Sequence, residues 1–118
     1  MNLSEQTEKL NQYLEALRKR FEKGEAPSDR KDREFFNMVK EETTPIYNLL
    51  ESWETDALAV VKERKASVHP NQIQSTRENM ELLLMHSYYL DARRKRYMEL
   101  YTSIRYVFDL LLDTLEEG

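Results

Sequence analysis

Apolar residues recur along this chain at alternating steps of three and four. Leu3, Leu10, Leu14, Leu17 and Phe21 form one such stripe, with Thr7 filling the missing step. That spacing is the 3.5-residue seam of a helical bundle, and it predicts a first helix over 3–23. Asn2 or Ser4 can cap it, Glu5 and Glu8 suit the positive end of its dipole, and Gly24 supplies a left-handed stop. A second stripe runs Phe35, Val39, Glu42 or Thr43, Ile46, Leu49 or Leu50, Trp53, Ala57, Val60 and Arg64. Ile73, Thr76, Met80, Leu83, Leu84 and Ser87 mark a third, and Tyr97, Tyr101, Ile104, Phe108, Leu111 and Leu115 a fourth.

Breakers between the stripes are few. No glycine occurs between Gly24 and Gly118, and Pro27, Pro45 and Pro70 are the only prolines. Glu25-Ala26-Pro27-Ser28 reads as an open loop, and Ser28 or Asp29 can cap a helical segment over 29–42. Thr43-Thr44-Pro45 reads equally well as an N-cap with proline at the first helical position or as a kink in one long helix. The stripe keeps its register across the proline, which favours a short connector helix joined almost coaxially to a core helix over 45–65. His69 as N-cap places Pro70 first, Gln72 third, and Val68 and Ile73 at the two positions of a hydrophobic staple. A third helix is expected over 70–88. No breaker marks the next joint, and Tyr89-Leu90-Asp91 is placed there, with Asp91 capping a last helix over 91–116. Short joints force antiparallel neighbours. The expected fold is all-α: one domain over 1–118, an antiparallel up-and-down four-helix bundle with a helical connector between helices 1 and 2.

Composition narrows the class. With 40% hydrophobic and 34% charged residues the chain is too apolar for a disordered protein and too polar for a membrane protein. MNLSEQTEKL has no apolar core of a secretory signal, so a cytoplasmic location is expected. The absence of cysteine removes disulfides, thiolate metal sites and thiol catalysis. A net charge of −4 weighs against nucleic-acid binding by the whole surface.

His69-Pro70-Asn71-Gln72-Ile73-Gln74-Ser75-Thr76-Arg77-Glu78-Asn79 is the most distinctive run in the chain. With it, in order, go Phe36, Val39-Lys40 before a nearby proline, Trp53, Ser87-Tyr88-Tyr89, Lys95-Arg96-Tyr97 and Ser103-Ile104-Arg105-Tyr106-Val107. Over about 35–115 this pattern resembles the YppE-like family of uncharacterised proteins from Gram-positive bacteria. In that family the helix breaks between the tyrosine pair and the basic run, often at a proline, where this chain has Leu90. The resemblance implies a four-helix up-and-down bundle and supplies no activity.

Catalytic constellations do not emerge. A di-iron bundle needs Glu-x-x-His on two helices. Neither His69 nor His86 has a glutamate three residues before it. Ser87 beside His86 is mere adjacency, since neighbouring helical residues point about 100° apart. No glycine-rich loop cradles phosphate. Trp53 and the tyrosines at helical spacing read as core. No enzyme, metal site or cofactor is expected.

Arg93-Arg94-Lys95-Arg96 is the anomaly. It opens a helix, where the dipole disfavours cations by about 0.3–1 kcal/mol each. Up-and-down topology gathers it at one end of the bundle with Arg20, Arg30 and Lys31, so that spans 18–40 and 93–96 hold most of the Lys and Arg. Those residues and Tyr89 are candidate anion- or partner-binding residues. The expected role is binding another protein, with the connector residues Phe35, Met38 and Tyr47 as a contact patch. The alternative is nucleic-acid or anionic-ligand binding at the basic end, with Tyr88 and Tyr89 stacking on bases.

Overall fold

The computed structural model describes residues 1–25, 31–64 and 67–117, folded as four helices: α1 (Leu3–Lys23), α2 (Arg33–Arg64), α3 (Pro70–Tyr89) and α4 (Arg94–Glu117). Side-chain pairs show that neighbours run antiparallel. Gln6 meets Asp56 and Thr7 meets Trp53 between α1 and α2. Glu54 meets Arg77 and Glu42 meets Tyr88 between α2 and α3. Asn11 meets Asp109 and Glu22 meets Arg94 between α1 and α4. The helices form a rhombus in which α1 and α3 touch across the short diagonal. On the long diagonal the backbones of α2 and α4 stay apart, and Trp53 and Phe108 bridge the gap edge to face at 5.3 Å.

Local chemistry explains where the helices begin and end. Asn2 Oδ1 accepts from the Glu5 N–H at 2.8 Å, while Glu5 Oε1 accepts from the Asn2 N–H at 3.1 Å, a reciprocal capping box. Gly24, at φ 69°, ends α1 and donates its N–H to the Phe21 carbonyl. The expected caps Ser28 and Asp29 lie outside the described residues. Asp32 starts α2 instead, its Oδ1 accepting the Glu34 and Phe35 N–H groups at 3.0 and 3.2 Å. The His69 N–H donates to Gln72 Oε1 at 2.8 Å, and Val68 and Ile73 are both buried, as the staple requires.

Two joints differ from expectation. In place of a connector over 29–42 and a separate helix over 45–65, Arg33–Arg64 is one continuous helix of 32 residues, with Pro45 inside it. At 1.5 Å per residue that is about 48 Å, the full 48 Å long axis of the molecule. Pro45 cannot donate to the Glu41 carbonyl, but both residues are exposed, so water can serve that oxygen. On the opposite face Val39, Thr43, Ile46, Leu50 and Trp53 stay buried in unbroken register. Burying such side chains at about 1.5–3 kcal/mol each outweighs the ~3 kcal/mol cost of an internal proline.

The last helix starts at Arg94 rather than at 91. Leu90 ends α3 in the left-handed region at φ 54°, donating its N–H to the His86 carbonyl at 2.9 Å. The next three residues complete the reversal, and Asp91 Oδ1 lies 2.5 Å from His86 Nδ1. A left-handed leucine costs roughly 1–2 kcal/mol. Urea denaturation should therefore find Leu90→Gly more stable than Leu90→Ala by about 1 kcal/mol, the reverse of their order inside a helix.

Candidate functional site

The ends of α1 and α3 and the starts of α2 and α4 meet at one pole, as the topology argument anticipated. There Phe21 stacks on Tyr97 with centroids 3.8 Å apart, and Phe35 meets Tyr89 edge-on at 5.5 Å. Arg93 stands just before α4, exposed, its carbonyl accepting the Tyr97 N–H. Arg94 reaches Glu22 of α1 at 3.3 Å, and Glu22 also faces Arg18 at 3.6 Å. Arg96 lies 3.9 Å from Glu99, and exposed Lys95 borders a shallow depression along α4. Lys31 is exposed beside α2, and Arg30 lies outside the described residues. Arg20 is not on the rim with these. Its guanidinium covers the Tyr88 ring, 4.2 Å from the centroid.

The tyrosines are poorly placed for stacking on bases. Tyr88 is buried and donates its hydroxyl to Glu42 Oε2 at 2.7 Å. Burial, with that bond, pushes its phenol far up. Tyr89 is half-buried against Phe35. Further along α4, the Tyr101 hydroxyl and Arg105 Nη1 converge on Glu15 of α1, the latter at 2.9 Å. The Tyr101 hydrogen bond, aided by the charges of Arg18 and Arg105 and opposed by burial, holds the Glu15 carboxyl below its ordinary 4.5.

The expected contact patch on the first part of α2 is also rearranged. Phe35, Met38 and Tyr47 are half-buried against the core, and Phe36 turns outward with 55% of its surface exposed. Phe36 is one residue off the buried stripe, about 100° around the helix from Phe35.

A different surface collects more chemistry. Between α3 and α4 lies an open groove of about 490 Å3. Asn71, Gln72, Ser75 and Asn79 line it from α3. Thr102, Ser103 and Tyr106 line it from α4, and Tyr106 is 61% exposed. No charged side chain lines it among the described residues. The depression beside Lys95 and Met98 shares Thr102 and Ser103, so the concavity continues along α4. The groove offers amides and hydroxyls that can both donate and accept, and a large ring at its edge. No imidazole, carboxylate or amine is among its described lining residues.

Sequence reasoning passed over this surface because, Thr76 apart, its lining residues belong to no stripe. The available signal was the set of uncharged polar residues Asn71, Gln72, Ser75 and Asn79 at the start of α3, beside a tyrosine at an outward position of α4.

These features define a small all-α protein, a four-helix bundle with one charged pole and one uncharged polar groove. Residues 7–115 match the model of a bacterial domain of unknown function, DUF1798, and the chain belongs to that family. It is 26% identical over 114 residues to the uncharacterised protein YppE of Bacillus subtilis strain 168, covering 96% of this chain and 91% of that one. The crystal structure of YppE superposes with a TM-score of 0.86 at 25% identity, covering 98% of this chain and 93% of that chain. Its solution structure gives 0.79 at 24% identity over the same shares. No helix among the described residues is long and apolar enough to cross a membrane.

Proposed function

We propose that this protein is a non-catalytic binding module of the cytoplasm that engages a partner protein through the α3–α4 groove. The observation that carries this reading is the lining itself: uncharged amides and hydroxyls from Asn71, Ser75, Asn79, Thr102 and Ser103, beside the exposed ring of Tyr106. Tyr with Ser and Asn is the composition of adaptable protein-binding surfaces, where the ring gives rigid contact area and the small polar groups adjust their hydrogen bonds. Side-chain amides match the donor and acceptor of a peptide bond, so the fitting partner is a protein segment that offers its main chain.

Binding of a phosphate chain at the basic pole draws weaker support. Arg94 and Arg96 already face acids of the same chain, and Tyr88 is buried.

Affinity capture of the partner from native cells compares wild type with Tyr106→Ala and Arg94→Glu. Truncating an anchoring tyrosine should weaken capture by at least about tenfold. Arg94→Glu should leave it nearly unchanged. Loss with Arg94→Glu and retention with Tyr106→Ala would overturn the reading and favour the basic pole.

A further inference from the structure

The basic pole contains a second concavity that shares no residue with the groove. Tyr13, Leu17 and Arg20 of α1, Glu42 and Ile46 of α2 and Tyr88 of α3 enclose a crevice of about 310 Å3. Its walls are apolar apart from two opposite charges. The Arg20 guanidinium sits over the Tyr88 ring, a favourable cation–π arrangement. Its Nε is buried and donates to nothing, and Arg20 forms no ion pair among the described residues. A charged donor gains most from a carboxylate, which a guanidinium can hold through two parallel bonds. Glu42 lines the same crevice and accepts the Tyr88 hydroxyl through one oxygen. Its charge repels a simple anion and attracts an ammonium.

We propose that this crevice binds a free amino acid with an apolar side chain. The carboxylate would pair with Arg20, the ammonium with Glu42, and the side chain would lie against Tyr13, Leu17 and Ile46. Each charged group of the crevice then has a counter-charge, and the apolar walls cover the remainder of the ligand. A phosphate or an acidic side chain satisfies Arg20 but leaves Glu42 opposed. A protein's basic segment satisfies Glu42 but leaves Arg20 opposed. The zwitterion alone matches both.

Isothermal titration of the full chain with L-leucine and L-phenylalanine tests this directly. At least one should bind with Kd of about 1 mM or tighter. N-acetyl-L-leucine, which lacks the ammonium, and L-leucinamide, which lacks the carboxylate, should each bind at least about tenfold more weakly. Arg20→Gln and Glu42→Gln should give the same loss, and Tyr106→Ala should give none. The proposal is overturned if neither amino acid binds at about 10 mM, if either capped derivative binds as well as its parent, or if folded Arg20→Gln binds like wild type. Should a substitution prevent folding, the capped derivatives on wild-type protein still decide. Tyr106→Ala keeps this outcome separate from that of the α3–α4 groove.

Discussion

Replacing Trp53 with alanine is expected to cost about 3–5 kcal/mol, the range for removing a fully buried large aromatic side chain. Trp53 is wholly buried at the centre of α2 and crosses the long diagonal to Phe108 on α4. Its Nε1–H donates to Thr7 Oγ1 at 3.0 Å, and Thr7 in turn donates to the Leu3 carbonyl at 2.7 Å. One side chain therefore joins three helices. Alanine leaves a cavity where the backbones of α2 and α4 are too far apart to close it. Trp53→Phe should cost less, because the ring contact survives and Thr7 keeps its bond to Leu3. Domains of this size are stable by about 5–15 kcal/mol, so Trp53→Ala should lower the urea midpoint steeply or leave the chain unfolded. A loss below ~1 kcal/mol would contradict the packing described for the diagonal.

Tyr97→Ala should be comparably severe, at about 3–5 kcal/mol. Tyr97 is fully buried at the start of α4, stacks on Phe21 of α1, and shares a 2.6 Å hydrogen bond with Ser87 of α3. Tyr97→Phe isolates the hydroxyl and should cost about 1 kcal/mol, since Ser87 still donates to the Leu83 carbonyl. The same hydroxyl makes stability depend on alkaline pH. Burial pushes its phenol up to about 12, against an ordinary 10.0, and the Ser87 bond only partly opposes this. The neutral phenol is favoured in the folded state, so its stabilisation is complete below pH 10.0 and is lost as the pH rises through about 12. Urea midpoints should fall across that window, with Tyr88, shifted in the same direction, adding to the decline. In Tyr97→Phe the decline should be shallower. An equal slope in both proteins would show that Tyr97 does not drive it.

Much of the fold was legible because burial writes a period into the chain. Every residue of the third stripe, from Ile73 to Ser87, is buried. In α2 the open choices resolve to Thr43 and Leu50, and the predicted Val60 is half-buried while its neighbour Val61 is buried. Those positions follow from the angle at which α2 meets its neighbours, which a stripe read within one helix does not contain. Pro45 misled because local propensity was weighed without knowing that its missing hydrogen bond faces water. Leu90 gave no turn signal, since its left-handed conformation is imposed by α3 and α4 packing back on each other rather than by leucine itself.

The candidate sites were less legible for a related reason. The basic pole could be assembled from topology, which puts Arg20, Arg94 and Tyr89 at one end. Which cations face acids depends on side-chain reach. Arg94 finds Glu22, while Arg20 turns onto Tyr88. The groove needs two helices to exist at all. Ser75 and Tyr106 are ordinary solvent positions on their own helices and become a surface only side by side.

The central claim is that a partner protein docks in that groove, and site-specific photo-crosslinking in native cells tests it most directly. A photoreactive residue is placed singly at position 106, at 103, at 36 or at 94. The account predicts a discrete adduct of one partner from 106 and 103 and none from 36 or 94. Adducts confined to 36 or 94, or none from 106 and 103, would contradict it.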